Sequence, residues 1–345
     1  MRAQRLHRPA SAEERPLRLE DVASSRADPG EVVIAVEACG VCRTDLHILE
    51  GEVPAMLPIT PGHQAAGRIV EVGPGVDGLS SGDLVGVGWI AWTCGTCSFC
   101  VSGCENLCPR ARFTGRDRDG GYADRLAADA RWVYPLPKGF APRDAAPLLC
   151  AGIIGYRSLK VSGIGRGGRR IGLFGFGASA HLAMQVARHW GCEVYAFTRE
   201  QRHRELALSL GAMWAGDSGD DPGVPLDAAV LFAPAGEIVP LALSRLDRGA
   251  TLAINAIHMS PIPAMDYSLL YGERGIRSVT NYTRRDAEEF LALAAEIPVR
   301  ASVELYPLDA ANDALLAVKR GGIRGAAVLT ITPPGREAVA GDPKE

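Results

Sequence analysis

Apolar and polar residues alternate in short runs through the first third of the chain. Residues 30–41, GEVVIAVEACGV, follow a Pro-Gly turn and place apolar side chains on one face of a strand. Residues 67–76, GRIVEVGPGV, and 82–92, GDLVGVGWIAW, repeat the pattern, punctuated by glycine and proline. Few helical signals precede about residue 142, so this part predicts a β-rich, barrel-like unit. The character changes near Pro147. Residues 169–200 read as apolar strand, glycine-rich turn, amphipathic helix and second strand. Further strands are predicted within 227–234, 250–257 and 276–281, with helices at 202–210 and 237–246 between them. Such alternation implies a parallel sheet covered on both faces. After Asn281, a helix over 284–297 leads to a closing strand, AAVLTI, at 326–331. That strand is expected to return to the first unit. The chain therefore reads as α/β with the parallel-sheet domain, 152–282, inserted into a domain made of 1–151 and 283–345.

Composition narrows the setting. The 345 residues exceed one ordinary core, and 47% hydrophobic with 22% charged residues is the balance of a globular protein. A net charge of −3 gives no reason to expect nucleic acid or an anionic membrane as partner. No apolar run is long enough to span a bilayer, and the basic start, MRAQRLHRPA, lacks the apolar stretch of a signal peptide. The expectation is a cytoplasmic protein, in which nine cysteines serve as thiols or metal ligands rather than disulfides. The closing segment 332–345 is expected to be a frayed terminus.

The turn GFGASA, 175–180, follows an apolar strand and opens a helix. Gly175 permits the tight turn, Gly177 lets the backbone approach a pyrophosphate, and Ala180 is small enough for helix and strand to pack closely. This is the dinucleotide-binding context. The second strand ends in VYAFTRE, with Thr198 and Arg199 where an NAD-preferring site has an acid. An arginine suits a 2′-phosphate, so the expected cofactor is NADP(H) in preference to NAD(H). Arg202, His203 and Arg204 add basic character; the alternative is that all these charges are simply solvated.

Residues 94–108, CGTCSFCVSGCENLC, hold Cys94, Cys97, Cys100 and Cys108 at spacings that suit a closed, structural zinc site. Cys104 is left as a spectator or a competing ligand. Cys42, in CGVCRTDLH, gains possible partners in His63, from PGHQAAG, and Cys150, from APLLCAGIIGY. Cys, His and Cys form a three-ligand set with one open position, as a catalytic zinc requires.

In that order, CGVCRTDLH, PGHQAAGRIVEVGPGV, CGTCSFCVSGCENLC, PLLCAG and GFGASA resemble the zinc-dependent alcohol dehydrogenases of the medium-chain dehydrogenase/reductase superfamily, over about residues 30–331. The resemblance implies a GroES-like catalytic domain with an inserted Rossmann domain. It implies two zinc ions per chain, the catalytic one on Cys42, His63 and Cys150, and a homo-oligomer, dimer or tetramer. Thr44 would take the proton of the alcohol and His47 would pass it on through the cofactor ribose; Arg43 would contact the pyrophosphate. Asp45 would bond a metal ligand from behind. The substrate would be a small-molecule alcohol or aldehyde.

Two positions depart from the family pattern. Gln64 stands where the family has glutamate after the catalytic histidine. Ala326 stands where many members carry an arginine on the pyrophosphate, with Arg324 the nearest alternative. The expected reaction is hydride transfer between alcohol or aldehyde and NADP(H). Reduction of C=C or C=N bonds on the same fold is the rival; Thr44 and His47 speak against it and Gln64 leaves it open. Trp89, Trp92, Phe113 and Ile257 are either pocket walls or packing. An aromatic-lined slot would favour primary aliphatic or aromatic alcohols over polyols.

Overall fold

Strand Glu31–Val41 is the longest in the molecule's first half, and its buried residues explain why. Val32, Val33, Ile34, Val36 and Cys39 are all fully inaccessible, because the strand has neighbours on both sides. It pairs antiparallel with Ala65–Val72, with Arg125–Asp129 and with Ala326–Thr330. The computed structural model describes residues 1–331 apart from Arg166, Gly168 and Pro298. The segment 332–345, expected to be frayed, lies outside the described residues.

The sheet built on this strand has seven strands. In order they are Val303–Pro307, Ala326–Thr330, Glu31–Val41, Ala65–Val72, Leu84–Val87 and Val133–Pro135, with Arg125–Asp129 also on Glu31–Val41. The closing strand AAVLTI thus joins the sheet of the first part, with Leu329 opposite Cys39. The expected strand over 82–92 is broken into Leu84–Val87 and Ile90–Trp92. The break lies at Gly88, where a Cβ would stand 1.9 Å from Tyr282 Oη and 2.7 Å from the Leu149 carbonyl oxygen. Neither the N-terminal pair Arg2–Leu6 and Leu17–Asp21 nor the strand Val303–Pro307 was signalled by the pattern.

The second sheet has six parallel strands, in the order Trp214–Gly216, Glu193–Phe197, Arg170–Phe174, Leu226–Leu231, Leu246–Ile254 and Gly275–Ser278. Numbered along the chain this is 3-2-1-4-5-6, the doubly wound order of a Rossmann-like sheet. The order reverses between Arg170–Phe174 and Leu226–Leu231, and a crevice opens at such a point. Gly175 sits there at φ +88°, with Ala233 N 2.8 Å from where a Cβ would be. Only glycine meets both demands. The expected helices appear as Gln201–Ser209, Ile238–Ser244 and Arg284–Glu296.

Helix Ala178–His189 leaves the glycine turn with Ala180, Leu182, Ala183, Met184 and Val186 buried. His181 is buried with them and ties this helix to the chain beyond residue 300. Its Nδ1 faces the Gly177 carbonyl oxygen at 3.3 Å, and its Nε2 accepts from Ser302 N–H at 3.3 Å. Both contacts fit the neutral Nδ1–H tautomer. Burial holds the imidazole down at about 4 against an ordinary 6.5, outweighing the backbone hydrogen bonds that raise it. Between these two values the unfolded chain takes up a proton that the folded chain refuses, so this contribution is complete above pH 6.5 and is lost as pH falls towards 4. At about 1.4 kcal/mol per pH unit, roughly 2–3 kcal/mol of stability should disappear between about pH 7 and 4.5. Urea titrations should show His181→Asn losing less stability than wild type over that interval; parallel losses would refute the assignment.

Candidate active site

Helix Arg43–Glu50 begins at Cys42, whose backbone is still extended (φ −114°, ψ 154°). This helix was not signalled by apolar spacing, because polar contacts hold its buried face. Asp45 is fully buried. Its Oδ2 accepts from Cys42 N–H at 2.9 Å and from the Tyr122 hydroxyl at 3.1 Å. Its Oδ1 accepts from Gly62 N–H at 3.3 Å and meets His63 Nδ1 at 2.9 Å. The carboxylate therefore caps the helix and fixes the imidazole. With Nδ1 on Asp45, His63 Nε2 is the ring nitrogen left for another partner, buried and without a hydrogen bond.

The donor atoms of Cys42, His63 and Cys150 all lie within 4.8 Å of one another. A hydrogen bond from Cys150 holds the Cys42 thiol well below the usual thiol range, against the effect of burial. His63 is drawn the other way. Burial lowers its proton affinity, but Asp45 and Cys42 outweigh it and bring the imidazole up to about 10. Such a cluster attracts a cation. The unpartnered His63 nitrogen and the two sulfurs fit a three-ligand zinc site. Gln64, next to His63 in the chain, is also buried and lines the same cleft as the three ligands. Its Oε1 accepts from Ala151 N–H, beside Cys150, at 3.4 Å. Gly40 leaves it room, since a Cβ there would stand 2.9 Å from Gln64 Cδ and Nε2.

Cys94, Cys97, Cys100 and Cys108 form a second cluster. Their sulfurs are 3.8 Å (Cys94–Cys100), 3.5 Å (Cys97–Cys100) and 3.6 Å (Cys94–Cys108) apart. A tetrahedral ion with 2.3 Å bonds to sulfur needs edges of about 3.8 Å, so the sulfurs are already spaced for one. Cys104 stays outside the cluster, although its neighbours in sequence do the anchoring. Glu105 Oε1 accepts from Arg284 N–H at 2.7 Å, and Asn106 Nδ2 donates to the Thr280 carbonyl at 2.7 Å.

A cleft of about 700 Å³ runs from Cys42, His63 and Cys150 to the glycine turn. Thr44 and His47 line it near the ligands; Gly175, Gly177, Thr198 and Arg199 line the far end. A Cβ at Gly177 would meet no protein atom, so the backbone is open to the cleft there. Ala180 lies one turn into the helix, fully buried and off the cleft. Thr198 is anchored by its N–H to the Gly216 carbonyl at 2.7 Å, whereas the Arg199 side chain is exposed. Arg43 lines the cleft with Nη2 on the Val318 carbonyl at 3.2 Å. Trp89 packs edge-on to His63 (4.8 Å between centroids) and stacks on Phe113 (5.0 Å, 16°).

Residues 28–138 match the alcohol dehydrogenase GroES-like domain family. A probable alcohol dehydrogenase of Mycobacterium tuberculosis is 47% identical over 338 residues, 96% of this chain and 97% of its own. The chain belongs to the zinc-type alcohol dehydrogenase family of the medium-chain dehydrogenases. Among solved structures this alcohol dehydrogenase is similar to a cinnamyl alcohol dehydrogenase of Sorghum bicolor (TM-score 0.89, 28% identity, covering 95% of this chain and 97% of that one). It is likewise similar to CAD from Helicobacter pylori complexed with NADP(H) (TM-score 0.84, 25% identity, 96% and 99%).

Several residues of this dehydrogenase stand elsewhere than the sequence suggested. Trp92 is not a cleft wall: it packs under Arg112, whose guanidinium lies 5.8 Å from its ring, whereas Trp89, Phe113 and Ile257 do line the cleft. Arg202 is spent on the carbonyls of Gly321 and Gly322, and Arg204 on that of Thr198, so neither is available to a nucleotide. Arg324 is exposed and off the cleft; Arg320, at the end of helix Ala311–Lys319, lines it instead, beside Ala326. Glu52 and His258, both next to His47, were not singled out at all. Among the described residues no helix is long and apolar enough to cross a membrane.

Proposed function

We propose that this alcohol dehydrogenase interconverts small alcohols and aldehydes with NADP(H) in preference to NAD(H), holding one zinc ion on Cys42, His63 and Cys150 and a second on Cys94, Cys97, Cys100 and Cys108. The observation that carries the reading is the buried, partnerless Nε2 of His63 between two thiols at the base of the cleft. In it, residues 1–151 with 283–345 form the catalytic unit and 152–282 the cofactor unit. When bound, the zinc ion supplies a Lewis acid for the substrate oxygen and the nicotinamide a hydride acceptor or donor.

The chain's own groups do the rest. Asp45 keeps His63 in the tautomer whose Nε2 can ligate. Thr44 accepts the alcohol proton while giving up its own, which one hydroxyl can do. His47 takes that proton onward, since imidazole titrates near neutral pH. Gly177 and the first turn of helix Ala178–His189 present backbone N–H groups to the pyrophosphate, with Arg43 and Arg320 adding charge from the opposite wall. The stacked pair Trp89 and Phe113 gives a flat apolar wall that suits aliphatic or aromatic primary alcohols over polyols.

Cofactor choice rests on Thr198 and Arg199, which line the cleft where an acid would favour a free ribose 2′-hydroxyl. Charge-assisted bonds from Arg199 to a 2′-phosphate would be roughly twice as strong as neutral ones. Wild type is expected to show higher kcat/KM with NADPH than with NADH on one good aldehyde. Thr198→Asp with Arg199→Leu should move the preference towards NADH, mainly through KM, because the phosphate lies far from the transferred hydride. A wild-type preference for NADH would overturn this assignment.

A further inference from the structure

Among the described residues, the arginines that line the cleft are Arg43, Arg116, Arg199 and Arg320. The proposed reaction gives Arg43, Arg199 and Arg320 to the nucleotide and leaves Arg116 without a task. Arg116 closes a run of rings that starts at His63. The His63 ring packs edge-on against Trp89, Trp89 stacks on Phe113, and the guanidinium carbon of Arg116 lies over the Phe113 ring at 5.2 Å. All four of these residues line the cleft. The wall is therefore flat and apolar along its length and cationic at the end remote from His63.

The chain pins this cation to the site. Gly115 has φ +75°, and a Cβ there would stand 2.9 Å from Gly62 N, so the turn before Arg116 lies against the residue before His63. Thr114 N–H donates to the Trp89 carbonyl at 2.9 Å, and the Arg116 carbonyl accepts from Met56 N–H at 2.9 Å. In the side chain, Nε donates to the Pro54 carbonyl at 3.0 Å. Nη1 stands 3.7 Å from Asp117 Oδ2, too far for a hydrogen bond, and that oxygen already accepts from Phe113 N–H at 2.9 Å. Nη2 has no hydrogen-bond partner among the described residues. The Arg116 side chain is 31% exposed, so its charge is partly shielded from water. A guanidinium already fixed by its Nε, with one edge open, loses little freedom when it binds an anion.

We propose that Arg116 determines specificity, and that this enzyme's substrates are alcohols and aldehydes whose apolar chain or ring ends in a carboxylate. The proposal rests on the alcohol dehydrogenase reading and adds which alcohols are taken. The reacting oxygen lies at the His63 end, the apolar part lies along Trp89 and Phe113, and the carboxylate meets the open edge of Arg116. A hydrogen bond between two charged partners is shorter and stronger than a neutral one, and the planar guanidinium matches carboxylate geometry. Asp117 offsets part of the positive charge, so a monoanion suits the place better than a phosphate dianion. The carboxylate is remote from the carbon that exchanges hydride. Its contact is the same before and during the reaction, and should act on KM rather than on kcat.

The test measures kcat and KM of the zinc-loaded enzyme for ω-hydroxy acids graded in chain length. Each is compared with its primary amide, which keeps the outline without the charge. In wild type, kcat/KM should favour the acid about fivefold at the chain length that spans the wall, through KM, and added salt should erode the difference. Arg116→Gln should erase the preference, whereas Arg116→Lys, which keeps the charge but not the planar fork, should retain part of it. A wild type indifferent to the carboxylate at every chain length overturns the proposal, as does a preference that survives in Arg116→Gln. An equal loss on acid and amide in Arg116→Gln also overturns it, because Arg116 would then only shape the wall. Failure of the alcohol dehydrogenase reading looks different: wild type would oxidise neither member of any pair, and the proposal would fall with it.

Discussion

Cys42→Ser should abolish alcohol oxidation while leaving the fold in place. Changing residues that merely support a metal ligand typically costs about 10–100-fold, and removal of a ligand should exceed that range. Serine keeps the shape but offers a hydroxyl that stays protonated near neutral pH, where the site calls for a thiolate. The fold should survive because the structural task of residue 42 is to start helix Arg43–Glu50, and serine is a favoured residue there. Its N–H would still reach Asp45. Elemental analysis should find one zinc equivalent fewer than in wild type, kcat/KM should fall by more than about 100-fold, and the melting temperature should move by only a few degrees. Turnover within tenfold of wild type would show that Cys42 is not a ligand.

Cys97→Ser should do the reverse. The lobe from Cys94 to Cys108 contains only short helical turns, and Phe99, Val101 and Leu107 remain exposed, so little apolar burial holds it together. In small zinc domains the metal contributes about 10–16 kcal/mol of apparent folding free energy, and part of that support should be lost here. The damage should spread along two bonds, Glu105 to Arg284 N–H and Asn106 to the Thr280 carbonyl, into a segment whose residues Thr280, Asn281 and Tyr282 line the cleft. At roughly 2–4 °C per kcal/mol, a drop of about 10 °C in Tm is expected. Hydrogen exchange should rise in 94–108 and in 280–284 while His63 and its neighbours stay protected. A variant that lacks one metal equivalent yet melts like wild type would mean that the lobe stands without its ion.

What could be read in advance was whatever leaves a local mark. The glycine turn at 175–180 announces itself because a left-handed residue between strand and helix admits few alternatives. The four lobe cysteines lie close in sequence as well as in space. The parallel sheet showed through its apolar runs. Less visible was anything decided by the return path of the chain. Glu52 meets His47 only because Gly51 reverses the direction of the helix end. Arg320 rather than Arg324 lines the cleft because helix Ala311–Lys319 stops at a turn with Gly321 at φ +66°. Trp92 parts company with Trp89 because the register of its short strand shifts between Ile90 and Trp92. The basic cluster at 202–204 suggested nucleotide contacts, but Arg202 is claimed by carbonyls of a distant turn and Arg204 by that of Thr198 just upstream.

Gly40 and Gln64 make charge and shape separate variables beside the proposed zinc ligands His63 and Cys150. Gln64 is wedged between the bare Cα of Gly40 and the first N–H after Cys150. Glutamate has the same outline as glutamine, so a change between the two alters the local field by a whole charge at nearly constant volume. A methyl group at residue 40 does the opposite: it adds no charge but pushes on the residue that follows His63. An electrostatic dial, just ahead of strand Ala65–Val72, and a mechanical one, in strand Glu31–Val41, thus stand side by side. The reactivity of the zinc site could drift along either without a substitution in any residue that would bind the ion.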